Sequence, residues 1–144
     1  MKPALFIAAM AGLLLILAPF ALKHLTVSAP PEDHIMTVDE AFAVSLERHQ
    51  HTLQLNIDIA PGAYLYRDKL HIEPEEGLAL GQWQLPAGEP YEDEYFGKSQ
   101  IYREQLALEL PLLNGSSDGH LMLHYQGCGS GLCYPPQQRK LEVN

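Results

Sequence analysis

Residues 106–125 decide the fold: Leu-Ala-Leu-Glu-Leu-Pro-Leu-Leu-Asn-Gly-Ser-Ser-Asp-Gly-His-Leu-Met-Leu-His-Tyr. Leucines alternate with other residues from 106 to 112, and apolar residues alternate again from 121 to 125. Alternation with period two is typical of a strand with one buried face. The Asn-, Gly- and Ser-rich stretch at 114–119 predicts a long hairpin turn between these two strands.

The same alternation recurs along most of the chain. Apolar residues alternate at 42–46, 53–59, 64–72 and 141–143, and less regularly at 78–85. Pro- and Gly-containing breaks separate these runs at 60–62, 74–77 and 86–88. Seven or eight short strands with such breaks predict an all-β fold, an immunoglobulin-like antiparallel β-sandwich. Residues 38–48 also admit a helix, because Thr37-Val-Asp-Glu40 resembles a capping box.

The N-terminus predicts export. Residues 3–22 carry no charge and would form a hydrophobic helix preceding the sandwich. We interpret residues 1–25 as a signal peptide or an uncleaved membrane anchor, and residues 26–35 as a linker. Residues 36–144 then form one domain of ordinary size on the far side of the membrane.

The charge balance excludes one class of partner. Beyond residue 30 the chain has seven Lys and Arg against eighteen Asp and Glu. A surface this acidic disfavours nucleic acid and anionic lipid as the main partner.

Cys128 and Cys133 are the only cysteines, and glycines at 127, 129 and 131 surround them. A disulfide that closes so short a loop contributes only about 2 kcal/mol to stability. We therefore interpret the pair as a dithiol that opens and closes, because thiol exchange needs one attacking and one resolving sulfur. An inert disulfide that pins a hairpin remains the alternative.

The seven histidines raise a metal alternative. His49 and His51 could share one face of a strand, whereas His120 and His124 would lie some 13 Å apart on a strand. With the cysteines they could form a copper or zinc site, but the Cys-x-x-Cys spacing common in zinc sites is missing. We expect no metal and no cofactor.

Residues 89–99 do not alternate and mix acids with aromatic residues, among them Tyr91, Tyr95 and Phe96. Three rings in a loop are expected to be covered or to cover something. Two interpretations remain open: a lid on the domain's own core, or a cap over a reactive group.

Three motifs occur in order: Tyr64-Leu-Tyr-Arg67, then Glu92-Asp-Glu-Tyr-Phe-Gly-Lys-Ser99 followed by Ile101-Tyr-Arg103, and last Tyr125-Gln-Gly-Cys128 with Cys133-Tyr-Pro-Pro136. Together they resemble the N-terminal periplasmic domain of the thiol:disulfide interchange protein DsbD. The resemblance covers residues 36–143. It implies that Cys133 forms the mixed disulfide and that Cys128 resolves it. It also implies a cap loop over the disulfide and tyrosines that line the site: Asp93, Glu94, Tyr95, Phe96, Gly97, Tyr64, Tyr66 and Tyr134.

The resemblance further implies a function and partners. A thioredoxin-like donor would supply electrons, and disulfide-bearing periplasmic oxidoreductases would receive them. The protein would be a thiol:disulfide oxidoreductase of the periplasm, tethered to the inner membrane or secreted. We expect this chain to lack the family's transmembrane and thioredoxin-like domains. The alternative is a binding or scaffolding sandwich with a structural disulfide.

Overall fold

Alternating apolar residues become strands along the part of the chain that the computed structural model describes, residues 34–113 and 119–143. A one-turn helix α1 (Val38–Ala41) precedes them, and a 3-10 turn (Arg67–Lys69) lies between β3 and β4. The strands are β1 (Phe42–His49), β2 (Thr52–Ile59), β3 (Tyr64–Tyr66), β4 (His71–Glu75), β5 (Glu89–Asp93), β6 (Gly97–Tyr102), β7 (Gln105–Pro111), β8 (His120–Tyr125), β9 (Gly127–Gly129), β10 (Leu132–Cys133) and β11 (Gln137–Glu142).

The strands form three antiparallel sheets. Their orders are β1-β2-β7, β11-β8-β4 and β10-β9-β3-β6-β5. The two three-stranded sheets share one apolar cluster, the main core, whose members include Leu55, Leu108, Ile72 and Leu123. Burying such side chains from both sheets is what holds a sandwich together. The predicted all-β, immunoglobulin-like sandwich is confirmed.

Residues 37–48 contain a short helix that starts with a capping box, followed by a strand. The Thr37 hydroxyl accepts from the Glu40 amide at 3.3 Å, and the Glu40 carboxylate accepts from the Thr37 amide at 2.7 Å. This capping box starts α1, but the chain is already extended at Phe42. The helical alternative is therefore limited to Val38–Ala41, and the strand predicted from the alternation at 42–46 is confirmed as β1.

Two other local predictions are corrected. The strands at 106–112 and 120–125 do not form a hairpin: β7 pairs with β2, whereas β8 pairs with β4 and β11. Period two shows that each strand has a buried face, but not which neighbour it pairs with. Residues 114–118 lie outside the described residues. The predicted loop at 89–99 is instead a hairpin of β5 and β6, whose backbone pairing needs no apolar alternation.

Two segments of the chain lead directly from the sandwich into the five-stranded sheet. β3 runs through the 3-10 turn into β4, and β8 runs through Gln126 into β9. The Tyr66 amide donates to the Gln126 carbonyl at 3.0 Å, which joins these two segments where they enter the five-stranded sheet. The sandwich therefore fixes the position of β3 and β9, which carry the candidate site.

The predicted N-terminal helix, residues 1–25, and most of the linker fall outside the described residues. Among the residues that are described, no helix is both long and apolar enough to cross a membrane.

Candidate redox site

Cys128 and Cys133 lie directly opposite each other on β9 and β10 and form a disulfide. The two-residue turn between the strands consists of Ser130 and Gly131, both with positive φ (52° and 73°). Positive φ at both positions is the requirement of the tight type I′ hairpin turn. The Cα atoms are 3.9 Å apart, closer than the 5.5 Å typical of disulfides, because the cysteines are directly opposite each other on adjacent antiparallel strands.

Alternation within the five-stranded sheet sorts its side chains between two faces. Tyr64, Tyr66, Ile101 and Cys128 form a second buried cluster, the site cluster, against which Tyr91 and Cys133 pack. Their sequence neighbours Leu65 and Tyr102 belong to the main core. The site is thus a small buried group on the face of the sheet opposite the main core.

Tyr134, predicted beside the cysteines, belongs to the main core. Its ring packs edge-on against Phe42 at 5.8 Å, and its hydroxyl donates to the Met36 carbonyl at 2.7 Å. The residue after Cys133 in an extended chain points to the opposite face, so the tertiary structure separates the two side chains.

Gly127 fits where no other residue could. A Cβ atom at this position would lie 2.3 Å from the Tyr64 carbonyl oxygen and 2.5 Å from the Phe42 ring. The absence of a side chain lets β9 approach β3 closely, which brings Cys128 opposite Tyr64.

Asp93 ties the cap to the site cluster. One carboxylate oxygen accepts from the backbone amides of Tyr95 and Phe96 at 3.0 and 2.8 Å. The other accepts from the hydroxyl of Tyr64 at 3.1 Å and from the hydroxyl of Tyr66. The Tyr66 oxygen also lies 3.3 Å from Cys128 Sγ. A single carboxylate therefore holds both the turn of the β5–β6 hairpin and the tyrosines beside the disulfide.

These contacts shift the acidities of the groups involved. Burial raises the pKa of Tyr64 to about 12. Burial, and next the hydrogen bond to Asp93, raises the pKa of Tyr66 as well. Burial acts to raise the pKa of Asp93, but the Phe96 amide and the hydroxyls of Tyr66 and Tyr64 outweigh it and hold that pKa below its usual value. At neutral pH, Tyr64 and Tyr66 are therefore neutral phenols that donate hydrogen bonds to the ionised carboxylate of Asp93.

The cap aromatics take different positions. Phe96 packs edge-on against Tyr66 with ring centres 4.7 Å apart, and the ammonium group of Lys69 lies 4.8 Å from its ring centre. Tyr91 packs on Tyr64 at 4.9 Å. Tyr95, at the tip of the hairpin, is 52 % exposed. Gly97 closes the turn with a φ of 64°, a value that favours glycine.

A cleft of about 520 Å³ opens beside the disulfide. Its lining brings together the two cysteines, Tyr64 and three predicted cap residues: Asp93, Glu94 and Tyr95. Cys128 is 3 % exposed, whereas Cys133 is only partly buried. Of the two cysteines, Cys133 is therefore the more exposed residue.

Three of the four histidines considered for a metal site, His49, His120 and His124, lie beside carboxylates. His120 Nε2 lies 2.7 Å from Glu75 and Nδ1 lies 3.2 Å from Glu76, while His124 lies 3.6 Å from Glu73. Within 34–113 and 119–143, no group of three or more His, Cys, Asp or Glu side chains is arranged to hold a metal.

Sequence reasoning noted Tyr91 among the aromatic residues of 89–99 and Ile101 and Arg103 in a motif, but assigned none of the three to the site. The Arg103 guanidinium lies 5.2 Å from the ring centres of both Tyr64 and Tyr91, and its Nε donates to Glu89 at 2.5 Å. Tyr91 and Ile101 could have been found from strand alternation, because Tyr91 lies two residues before Asp93 and Ile101 lies two residues after Ser99. Arg103 follows the end of β6, and its position in the motif Ile101-Tyr-Arg103 is the sequence signal that could have pointed to it.

The comparisons with known proteins point to one family. A family model described as thiol:disulfide interchange protein DsbD, N-terminal, matches residues 32–144. DsbD of Cronobacter sakazakii is 41% identical over 107 residues, which are 74% of this chain and 18% of that protein. DsbD of Escherichia coli K12 is 38% identical over 117 residues, 81% of this chain and 20% of that protein. The chain spans about a fifth of the length of these curated relatives.

Two solved structures agree with this result. The crystal structure of the Neisseria meningitidis DsbD N-terminal domain in the reduced form is 29% identical, with a TM-score of 0.67. The match covers 76% of this chain and 89% of that one. A second is a complex between the DsbD N-terminal and PilB N-terminal domains from the same species, with 28% identity, a TM-score of 0.64 and coverage of 75% and 86%.

Proposed function

The chain belongs to the family of DsbD N-terminal domains, and on that premise we propose that it relays two electrons between proteins of the periplasm by thiol–disulfide exchange at Cys128 and Cys133. The observation that carries the proposal is a disulfide that lines a cleft, with one cysteine buried and the other partly exposed. The donor would be a thioredoxin-like protein, and the acceptors disulfide-bearing oxidoreductases. The Neisseria relative in complex with a PilB domain supports proteins as partners.

Reduction begins when a donor thiolate attacks Sγ of Cys133. The bond between Cys128 and Cys133 breaks, Cys128 leaves as a thiolate, and a mixed disulfide joins Cys133 to the donor. The donor's second thiol then attacks the donor sulfur of the mixed disulfide and displaces Cys133. The donor leaves oxidised, and this chain is left as the dithiol. In the oxidation half, the Cys133 thiolate attacks the acceptor disulfide and Cys128 resolves the product.

Tyr66 is placed to assist the departure of Cys128. Its hydroxyl carries one proton, which it donates to Asp93 while the disulfide is intact. Its oxygen is 3.3 Å from Cys128 Sγ, so the same proton can turn toward the thiolate as that charge forms. The raised pKa of Tyr66 keeps that proton on the phenol throughout the cycle.

The cap formed by residues 93–97 limits access to the disulfide. Asp93 anchors it, Phe96 packs on Tyr66, and Glu94 and Tyr95 line the cleft. The carboxylates also disfavour thiolate formation by like-charge repulsion, which slows exchange with stray thiols.

Two measurements test the relay. Alkylation after equilibration in dithiol buffers should give a reduction potential above about −300 mV, the region below which structural disulfides lie. In addition, Cys128→Ala should accumulate a mixed disulfide through Cys133 with a thioredoxin-like protein, and Cys133→Ala, the matched control, should not. A pair that stays oxidised below that potential and traps no partner would instead favour a scaffolding sandwich with a structural disulfide.

A further inference from the structure

Arg103 is the one positively charged side chain among the described residues that line the cleft beside the disulfide. The antiparallel register of β3 and β6, extended by one residue past the end of β6, places Arg103 opposite Tyr64. Tyr64 in turn lies opposite Cys128, and Cys128 lies opposite Cys133. Residues directly opposite one another lie on the same face of a sheet, so one row across the sheet leads from Arg103 to Cys133.

The Arg103 side chain is held in place by three neighbours. Its Nε donates to the Glu89 carboxylate at 2.5 Å. Its guanidinium carbon lies 5.2 Å from the ring centres of both Tyr64 and Tyr91, within the range of a cation–π contact. A planar guanidinium fixed in this way loses little further freedom when it forms another hydrogen bond.

The two Nη groups of Arg103 are free to donate. Within residues 34–113 and 119–143, the side chain donates its hydrogen bond through Nε, and neither Nη1 nor Nη2 has a partner. The side chain is 37 % exposed and lines the cleft. A guanidinium that is fixed at Nε and open at both Nη groups is a ready donor site for an oxygen atom.

The surrounding charges select the kind of oxygen. The Glu89 carboxylate already balances the positive charge of Arg103, and Glu92, Asp93 and Glu94 line the same cleft. A carboxylate brought to this position would be repelled by these like charges, whereas a neutral carbonyl oxygen would not. The backbone of any protein partner carries such carbonyls at every residue.

We propose that Arg103 is a docking residue, whose Nη groups donate to a backbone carbonyl of the partner protein during exchange at Cys133. The guanidinium lies beside Tyr64, and Tyr64 is two strand spacings, roughly 10 Å, from Cys133 along the row. The carbonyl therefore belongs to a residue near the partner's reacting cysteine, not to that cysteine itself. This inference rests on the proposed relay function.

Such a contact would favour protein partners over stray thiols. A small dithiol reacts with the disulfide without presenting a backbone carbonyl to Arg103, so it gains nothing from this donor. A protein gains both affinity and a defined orientation at the cleft. Arg103 would thus determine specificity, because it acts on the partner's backbone and not on the sulfurs.

The rates of disulfide reduction by two reagents provide the test. Reduced thioredoxin serves as the protein donor and dithiothreitol as the small one, and both react with the full oxidised chain in stopped-flow measurements. Arg103→Gln should slow reduction by thioredoxin roughly three- to tenfold, the loss expected for one hydrogen bond, and should leave the dithiothreitol rate within about twofold. Lys98→Gln, the matched control, removes the same charge from an exposed position of β6 that does not line the cleft, and should change neither rate.

Two results would assign Arg103 a different role. The effect on thioredoxin should persist at a salt concentration of about 0.5 M, because screening weakens charge steering far more than a hydrogen bond. An effect that disappears there overturns the docking bond. Equal slowing with thioredoxin and dithiothreitol would mean that Arg103 only holds Tyr64 and Tyr91 in place, and this also overturns it.

Hydrogen exchange in a trapped complex gives a readout that needs no Arg103 variant. Cys128→Ala is joined through Cys133 to a thioredoxin that lacks its resolving cysteine, and NMR follows the Nη protons of Arg103. They should exchange more slowly in the complex than in Cys128→Ala alone. Unchanged exchange, or equal thioredoxin rates for Arg103→Gln and the wild type, overturns the docking role and leaves the relay intact. A wild-type disulfide that thioredoxin cannot reduce overturns the relay, and the docking role with it.

Discussion

Leu65 lies between Tyr64 and Tyr66 on β3, and these three side chains divide between the main core and the site cluster. All three are buried, with 0 %, 9 % and 2 % of their surface exposed. Leu65 has only apolar atoms to bury, whereas both tyrosines carry hydroxyls that need partners. Asp93 supplies a partner to each hydroxyl.

One short strand, β3, thus serves both the stability of the fold and the chemistry of the site. The main core is held by buried apolar area, which is insensitive to any one polar contact. The site cluster depends on a network centred on one carboxylate, and in such a network each hydrogen bond supports the others. We therefore expect changes in the main core to affect unfolding, and changes in the site cluster to affect the disulfide.

The largest effect is expected from Leu65→Ala. Removing a fully buried leucine should lower the free energy of unfolding by about 2–5 kcal/mol, through lost burial and the cavity left behind. Urea unfolding of the oxidised protein measures it. Leu132→Ala, the same truncation at a leucine that is 46 % exposed, should stay within about 0.5 kcal/mol. Equal losses in the two variants would show that β3 does not belong to the main core.

Tyr66→Phe should have the next largest effect. It removes a hydrogen bond to an ionised carboxylate, which is worth about 1.5–3 kcal/mol, while the ring stays in place. The pKa of Asp93 should also rise, because one of the donors that lowers it is gone. Urea unfolding and carboxyl NMR titration measure both. Tyr95→Phe, at an exposed ring, is the control and should change neither; a matching change there would contradict the role of Tyr66.

Asp93→Ala should speed the reaction of the disulfide with a small dithiol by about tenfold, which corresponds to roughly 1.4 kcal/mol. The change releases the Tyr95 and Phe96 amides and so frees the cap. Stopped-flow reduction by dithiothreitol measures the rate. Glu94→Ala removes the same charge from the same cleft and leaves these bonds in place. If Glu94→Ala accelerates reduction equally, charge rather than cap closure controls access.

The smallest effect is expected from pH. Because the pKa of folded Asp93 lies below its usual value, the carboxylate contributes stability that is fully present above the unfolded pKa, about 3.9. That contribution is lost as the pH falls through the lower, folded value. The Tyr95 and Phe96 amide resonances should therefore hold their positions down to about pH 4 and shift only below it. A shift centred between pH 5 and 7 would show that another group anchors the cap.

The sequence predicted much of the fold because strand alternation is a local signal. The runs at 53–59 and 106–112 became β2 and β7, and Thr37 and Glu40 form the predicted capping box. Pairing was less predictable: β7 and β8 are neighbours in sequence but lie in different sheets. An alternating strand buries one face equally well beside several partners, so alternation leaves the choice open.

The candidate site was predicted in part, because its motifs are also local patterns of the sequence. The motifs pointed to the cysteines, the cap residues 93–97 and the tyrosines of β3, and the structure brings Asp93, Tyr64, Tyr66 and Cys128 together. Tyr134, which the resemblance placed beside the site, lies in the main core instead, because the residue after Cys133 in an extended chain points to the opposite face. The role of Asp93 depends on contacts across 27 and 29 residues, which no local pattern encodes.

By itself, the sequence determined the strands, the short cysteine hairpin and the family, since these follow from spacing and residue type within a few positions of one another. Only the tertiary structure decided on which face of its sheet each side chain lies. It also decided which carboxylate holds the cap and which cysteine lies on an edge strand. These properties depend on cross-strand register and on sheet order, and both are set by how distant segments bury their apolar faces together.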